Sequence, residues 1–405
     1  MGLNPVNAWD TVIAVAQETV LGVPVAPAST AAYGLQLLEI INASVGPAEV
    51  GVIRAKQDRA QGRGMQSGWV EGRIMPIAWN VDTSLKTRAA VDTPSPLLPL
   101  LRAAGLLHTI NAASNVTISV AATPTESGVF AGATLTRFQG QGLGTQMAAR
   151  LRGCVTKSIS ITGAAGEVLA KFSGVGIGRS TAAGQAAVMG KIDSITVAGG
   201  TTLTITAAES KRLGLGYYLC EAEVIEVTAC TPGGTSATIT RGALGTVAAA
   251  HTAVPLVPFR PAPTYTGAPI AEPTSTVTLG GVALRCRSWS IDITTGMDLV
   301  EPETGSRYSQ RAKYGRCDVK VQLQLVLDGD GVSLLGQVQT QENLALALVQ
   351  GVGAGGVFTA NMPNCAIDPF VLPDSANDIS IIDLTLRVRD GAATVGSDLL
   401  NLVLT

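Results

Sequence analysis

The alternation of apolar and polar side chains is clearest along residues 318–328. Positions 319, 321, 323, 325 and 327 are Val or Leu, whereas Lys320, Gln322 and Gln324 are polar. An alternation with a period of two predicts a β-strand with one buried face. The opposite face, which carries Lys320, Gln322 and Gln324, is then in contact with water or with a partner.

Residues 69–79 are the counterpart of this strand in the first half of the chain. Glu71 and Arg73 lie on the same side of the predicted strand as Trp69 and Trp79. Pro76 has no backbone N–H, so it requires an edge position or a bulge. A shift of one residue in register would exchange the two sides, so the choice of polar face stays open here.

Each long strand is followed by a segment with the pattern of a helix. Ser95 is a suitable N-cap with Pro96 in the first turn, and Gly105 ends an apolar stripe of leucines. The second predicted helix covers residues 333–350 and ends at Gly351. We therefore expect a mainly β protein with flanking helices.

The same order of elements occurs twice, with a strand, a basic segment, a long strand, a helix and two closing strands. This repetition predicts a duplicated β-sandwich or barrel. Between the copies, short β stretches separated by Gly-Gly turns predict a small all-β insertion, and a Pro-rich stretch at 255–263 predicts a stiff linker. The predicted units are an N-terminal arm at 1–34, a first domain at 35–180, the insertion at 190–261 and a second domain at 275–405.

Composition argues against several classes of function. Charged residues make up 14% of the 405 and the net charge is −2, which is unlike a polycation that grips nucleic acid. Two histidines, His108 and His251, leave little imidazole for catalysis, and the six cysteines include no C-x2-C pair. The sequence has no apolar run that is long enough to indicate a membrane span. We predict no enzyme activity, no cofactor and no metal, although folding can still bring two carboxylates together.

Two basic segments, residues 54–63 and 307–316, are too polar for the core and are predicted to be loops; they are the most informative charged features. Such a segment is often simply a solvated surface, and nucleic-acid binding would require more aromatic residues than Tyr308 and Tyr314. Because each segment precedes a long strand, we favour a third interpretation, a contact arm that reaches a neighbouring subunit. The basic residues of these arms are Arg54, Lys56, Arg59, Arg63, Arg307, Arg311, Lys313 and Arg316.

The pattern resembles the tail tube (major tail) proteins of long-tailed bacteriophages. The stretches that carry the resemblance are residues 69–79, 95–105 and 158–163 in the first half and 284–294 and 315–327 in the second. Residues 238–246 with 248–251 are also similar to a recurrent stretch in small β modules of phage structural proteins.

The resemblance implies a virion protein that forms stacked rings and a hollow tube for genome passage. It also implies three tandem-domain subunits per ring, a pseudo-hexamer, with six subunits as the alternative. Expected partners are the chain itself, the tape measure, tail terminator and distal tail proteins, and DNA held without sequence specificity. Assembly in the bacterial cytoplasm and no membrane contact are also expected. Candidates for the lumen surface are Glu71, Arg73, Lys320, Gln322 and Gln324.

A β-rich virion or cell-surface adhesin is the main alternative function. Its insertion would need an aromatic groove, yet only Tyr217 and Tyr218 cluster there. An enzyme is the weaker alternative, because it would need a pair of carboxylates in a cleft.

Overall fold

The computed structural model shows a mainly β chain, as predicted. The residues that it describes are 11–23, 36–38, 42–45, 52–61, 64–74, 76–88, 90–92, 95–124, 130–139, 147–164, 166–177, 188–197, 199–259, 267–271, 275–301, 309–326, 343–369, 381–390 and 399–405. Among the helices in this part of the chain, none is long and apolar enough to cross a membrane.

The first stretch of the chain contains the strands that precede the small barrel, together with one short helix. They are β1 (Thr11–Gln17), β2 (Gln36–Leu38), β3 (Asn42–Val45), β4 (Val52–Gln61), β5 (Gly64–Ile74), β6 (Ile77–Ser84), α1 (Leu98–Arg102), β7 (Leu106–Asn111), β8 (Asn115–Val120), β9 (Ala133–Gln139), β10 (Met147–Ala164), β11 (Glu167–Gly176) and β12 (Val188–Met189).

The middle of the chain forms a closed six-stranded barrel. Its strands are β13 (Ile192–Val197), β14 (Thr202–Thr204), β15 (Gly216–Cys220), β16 (Glu223–Cys230), β17 (Ser236–Thr240) and β18 (His251–Pro258). They pair in the closed order β13-β14-β17-β16-β15-β18. The predicted strand at Ile192–Val197 is confirmed with the same bounds.

The described residues of the last stretch of the chain form ten strands. They are β19 (Thr276–Leu279), β20 (Val282–Leu284), β21 (Cys286–Thr294), β22 (Asp298–Leu299), β23 (Ala312–Lys313), β24 (Asp318–Val326), β25 (Leu344–Gln350), β26 (Phe358–Ile367), β27 (Ile381–Val388) and β28 (Asn401–Leu404).

Two antiparallel sheets of seven strands pack against each other as a sandwich. In the first layer the order is β3-β6-β11-β10-β21-β24-β27. In the second layer it is β20-β19-β25-β26-β28-β8-β7. The end of β27 also pairs with the end of β26, which joins the layers at one corner.

One apolar core fills the space between the layers. Trp289 of the first layer stacks on Phe358 of the second, with ring centroids 6.1 Å apart. Gly163 lies opposite Trp289 on β10, where a Cβ atom would be 2.4 Å from the indole ring. Both halves of the chain contribute to this core, because β10 pairs with β21 and β8 pairs with β28. The division into four units stays a prediction.

The small barrel packs on a third sheet, which has the order β2-β1-β9-β10-β12. Val12, Ala14 and Phe138 of this sheet share an apolar cluster with the barrel. Arg150 of β10 is also buried there and donates a hydrogen bond of 2.9 Å to the carbonyl of Leu215. Burial lowers the pKa of Arg150 to about 10. Apolar contacts and a buried hydrogen bond therefore hold the barrel on the body.

The prediction of a second helix is wrong over its last turns, because Leu344–Gln350 is strand β25. Leu344, Leu346 and Leu348 are buried and alternate with less buried residues. Leu344 and Leu348 also fit a helical spacing, so the pattern alone did not separate the two structures. Pairing with β19 and β26 stabilises the strand. Residues 333–342 lie outside the described part of the chain.

The first predicted helix exists but is shorter, since α1 covers only Leu98–Arg102. Leu97, rather than Ser95, is its N-cap residue. Ser95 still contributes, because its carbonyl accepts the backbone N–H of Leu98 at 2.9 Å. Gly105 follows the helix with a φ of +73°, a left-handed conformation that favours glycine.

Three other expectations need correction. Residues 54–61 are not a loop, because they belong to β4, which pairs with β5 in a separate two-stranded sheet. The predicted strand at 69–79 is two strands, β5 and β6, with Pro76 between them. Residues 255–258 of the predicted linker belong to β18, in which the register shifts against β13. A strand at such an irregularity tolerates Pro255 because the regular ladder is already interrupted there.

Candidate assembly surfaces

The outer face of the first layer carries a row of charged and hydroxyl side chains, which we call the charged face. Successive residues of this row are direct partners on adjacent strands. From β6 to β27 they are Asp82, Lys171, Ser160, Asp292, Lys320 and Arg387. The row thus contains two carboxylates, three basic groups and one hydroxyl, so its charge is nearly balanced.

Contacts along this face are polar and partly exposed. The hydroxyl of Ser160 donates to Oδ1 of Asp292 at 2.5 Å, and Nζ of Lys171 lies 3.9 Å from Oδ2 of Asp82. At the β27 end, Nε of Arg387 donates to Oδ2 of Asp368 at 2.8 Å. Such exposed pairs fix side chains more than they stabilise the fold.

Part of the predicted lumen surface lies on the charged face. Lys320 and Gln322 are exposed, and Gln324 is half-buried and donates to Asp383 at 3.1 Å. Glu71 and Arg73 lie instead on β5, in the separate two-stranded sheet, and their side chains are outside the described part of the structure.

The first-half residues of the charged face were missed by the sequence analysis. On β6 the half-buried residues are Asn80 and Asp82, whereas Trp79 points into the core at 3% exposure. The break at Pro76 separates β6 from β5, so the side assigned to Trp79 does not continue to Glu71. The proline is the sequence signal that indicates this break.

The predicted contact residues lie in two small sheets apart from the sandwich layers. Arg54, Lys56 and Arg59 belong to β4, which pairs only with β5 among the described strands. Lys313 belongs to β23, which pairs with β22, and it is exposed. Arg311 and Arg316 flank β23 and are also exposed. Arg63 and Arg307 lie outside the described residues.

The outer face of the second layer has the opposite character, and we call it the uncharged face. Its side chains form two rows across the strands, and each residue is paired directly with the next. The first row is Leu107, Ser119, Asn401, Asn361, Ala347, Thr278 and Ala283. The second row is Thr109, Thr117, Val403, Thr359, Val349 and Thr276.

No residue of these two rows carries a charge, and several are small. Leu107, in the first row, is 41% exposed. A shallow depression of about 550 Å³ lies between β19, β25 and β26 and is lined by Thr278, Ala347 and Asn361 among others. The sequence analysis missed this face because it depends on the register of seven strands.

A buried ionic cluster occupies one end of the small barrel. The carboxylate of Glu223 accepts hydrogen bonds of 2.7 Å from both Nε and a terminal nitrogen of Arg241. Nε2 of His251 lies 2.8 Å from the same carboxylate, and Nδ1 lies 2.9 Å from Glu221. Burial alone would raise the pKa of Glu223, but the bond from Arg241 and the backbone donors Ala249 and Gly242 lower it to about 2.

This cluster explains the recurrent stretch noted at 238–251. Arg241 and His251 are held by Glu223, and the hydroxyl of Thr246 donates to the carbonyl of Ala243 at 2.9 Å. The loop between them displays Leu244 and Val247, which are 50% and 84% exposed. His251 therefore has a structural role.

Glu18 is a second buried carboxylate, located after β1. One oxygen accepts the N–H of Gly153 and the hydroxyl of Thr134, both at 2.7 Å, and the other accepts the N–H of Gly22 at 2.6 Å. Burial raises the pKa of Glu18 to about 7, although these hydrogen bonds oppose the shift. Its bonds join β1, β9 and β10, so its place in the fold is structural.

Among the described residues, no group of three or more His, Cys, Asp or Glu side chains is arranged to hold a metal ion. The six cysteines are free thiols.

Comparison with known proteins gives one family. Residues 227–388 match the model of the phage tail tube protein family. The match begins in β16 of the small barrel and ends with β27, so it includes β21 and β24 of the charged face. No curated protein matches the chain. The matched residues are less than half of the chain; over them the chain is similar to phage tail tube proteins, and the mainly β fold agrees with that similarity.

Proposed function

We propose that the chain forms rings that stack into a hollow tail tube, through which the genome passes into the host. The observation that carries this proposal is the charged face, a polar surface of nearly balanced charge. The match of residues 227–388 to the tail tube family supports the same function. Pairing of subunits around a ring would also cover sheet edges, which otherwise promote aggregation.

The charge balance of this face suits a wall that DNA slides along. Asp82, Asp292 and Asp383 offset Lys171, Lys320 and Arg387. A strongly basic surface would bind phosphates and release counterions, which gives tight, salt-dependent binding. A balanced polar surface instead stays hydrated and offers DNA no net attraction, so the proposed lumen surface includes Lys320, Gln322 and Gln324.

Contacts between subunits are assigned in this proposal to the two small sheets, β4–β5 and β22–β23. At about 3.3 Å per residue, the ten residues of β4 span roughly 33 Å, enough to reach a neighbouring subunit. Arg54, Lys56, Arg59, Arg311, Lys313 and Arg316 belong to or flank these sheets. Their positive charge favours carboxylates on the neighbouring surface.

The finer assignments follow from the same proposal. The ring contains three tandem-domain copies, with six copies as the alternative, and tape measure, tail terminator and distal tail proteins meet the ends of the tube. Assembly occurs in the cytoplasm of the bacterial host, without a cofactor or a catalytic step.

Negative-stain electron microscopy of the purified chain, concentrated and incubated alone, tests this function. We expect rings or tubes with a central hole, whose rotational symmetry separates three subunits from six. Monodisperse monomers at every concentration would contradict the proposal and favour a β-rich adhesin.

A further inference from the structure

The strands of the first layer follow one order twice. The set β3-β6-β11-β10 is followed by β21-β24-β27, and β26 pairs with β27 at the corner. In both sets the strands that come first, second, fourth and third along the chain lie side by side in that order. The orders β2-β1-β9-β10-β12 and β20-β19-β25-β26-β28 repeat in the same way. The strands β10 and β26 are therefore equivalent, and so are β11 and β27.

Local hydrogen bonds support this equivalence. Beyond the end of β11, the N–H of Ile177 donates to the carbonyl of Arg152 on β10 at 3.0 Å. Beyond the end of β27, the N–H of Arg389 donates to the carbonyl of Asn364 on β26 at 2.8 Å. The end of the β26–β27 pair is thus built like the end of the β10–β11 pair.

The small sheet β22–β23 lies between the first two strands of the second set and folds back onto the first set. Met297 and Leu299 of this connection share a small apolar cluster with Val155 and Ile177, at the end of the β10–β11 pair. Because β10 also pairs with β21, the two sets lie side by side. The connection of one set therefore docks on the neighbouring set.

The hairpin β4–β5 is the equivalent connection in the first set, because it lies between β3 and β6. Among the described strands, β4 and β5 pair only with each other. The docking place equivalent to that of β22–β23 is the end of the β26–β27 pair. Six strand spacings, roughly 29 Å, separate β3 from β27 within one copy. In a neighbouring copy that lies beside β3, as β10 lies beside β21, this place is next to the hairpin.

We propose that β4–β5 of each copy docks on the end of the β26–β27 pair of the next copy in the same ring. This inference rests on the proposed tube, and it names the surface that the first contact arm meets. The contact between copies then repeats the contact that the two sets make within one chain.

The charges of the docking place fit this partner. Arg387, Arg389 and Asp390 are exposed there, and Nε of Arg387 donates to Oδ2 of Asp368 at 2.8 Å. The place thus carries both signs of charge, whereas the equivalent place within the chain is apolar. Charges of both signs on two surfaces fix the register of their contact and disfavour wrong partners. The charged residues of the hairpin strands also have both signs, and they are Arg54, Lys56, Asp58, Arg59, Glu71 and Arg73.

Photo-crosslinking in assembled material tests the docking place. Arg389 is replaced by p-benzoylphenylalanine, and the same replacement of Gln322, which is exposed on the charged face, is the matched control. Each variant is purified in light and in isotopically heavy form, and the two forms are mixed before assembly. Circular dichroism and thermal unfolding establish folding, and a replacement at Asp390 is used if the Arg389 variant does not fold.

Mass spectrometry of the crosslinked peptides gives the result. We expect position 389 to crosslink to residues 52–74 of another copy, with light chains joined to heavy chains. Dilution below the assembly concentration should abolish this product, and position 322 should not form it.

Two results would overturn the inference and leave the tube proposal standing. In one, rings or tubes form but position 389 crosslinks only within its own chain or to another part of the neighbour. In the other, position 322 crosslinks to residues 52–74 as well as position 389 does. Failure of the wild type to assemble would overturn both proposals.

Discussion

The two outer faces of the sandwich are built in the same way and differ in one property. Each consists of seven antiparallel strands, and on central strands such as β24 and β25 every second side chain is buried against the shared core. The side chains on the charged face include Lys171, Asp292, Lys320 and Arg387. Those on the uncharged face include Ala347, Asn361 and Val403.

Burial of the inner positions is equally good on both sides, so the fold does not require this difference. Val321 on β24 and Leu348 on β25 are both fully buried. The outer positions are free to vary, and their chemistry therefore reflects what each face contacts. Balanced charges suit water and a passing polyanion, whereas small uncharged residues suit another protein surface.

The largest expected effect comes from the core that both faces share. Trp289→Ala removes the indole that stacks on Phe358 between the layers and should destabilise the protein by about 3–5 kcal/mol. Both faces should be lost together in one denaturant transition, with Trp289→Phe as the milder control. Retention of one layer, seen as two separate transitions, would contradict a single core.

The next largest loss of stability should be confined to the small barrel and leave both outer faces of the sandwich intact. Arg241→Ala leaves the buried carboxylate of Glu223 without its bidentate partner and should cost the small barrel about 3 kcal/mol. Labelling of the buried Cys220 thiol in the barrel should accelerate relative to Cys365 in the sandwich. Equal acceleration at both thiols would show that the barrel and the sandwich unfold as one unit.

A smaller effect on stability depends on pH and comes from the buried carboxylate of Glu18, which belongs to neither outer face. Because burial raises the pKa of Glu18 to about 7 from 4.5, folding is favoured at low pH, and this stability is lost as the pH rises from 4.5 through 7. We expect a loss of about 2 kcal/mol between pH 5 and 8. The variant Glu18→Gln should remove this loss in urea unfolding curves, and an unchanged pH profile would refute the assignment.

The smallest effect concerns the charged face itself. Lys171→Gln removes a cation that is 54% exposed and lies 3.9 Å from Asp82. Its stability should change by less than about 1 kcal/mol, because exposed ion pairs contribute little. A larger loss of stability in thermal unfolding would mean that the charges of this face stabilise the fold as an ionic network. The difference between the two faces would then reflect stability and not what each face contacts.

Local periodicity in the sequence predicted several elements correctly. The alternation at 318–326 is strand β24, and Ile192–Val197 is β13. At Leu344–Gln350 the same leucines fit a helix and a strand, and the decision came from neighbours distant in sequence. The contact arms and lumen residues remain predictions.

Long-range register explains what the sequence did not predict. The uncharged face depends on the pairing of β8 with β28, two strands more than two hundred residues apart in the chain. Likewise, Glu223 meets Arg241 and His251 through the closure of the barrel, although the stretch 238–251 marked the site. Alternation shows that a face exists, but only pairing shows which residues share it.

Cryo-electron microscopy of tubes assembled from the purified chain tests the central claim most directly. Our account predicts that Lys320 and Gln322 line the central channel and that Ala347 and Thr359, on the opposite face of the sandwich, point away from it. A tube in which Ala347 faces the channel, or in which the charged face is buried between subunits, would contradict it.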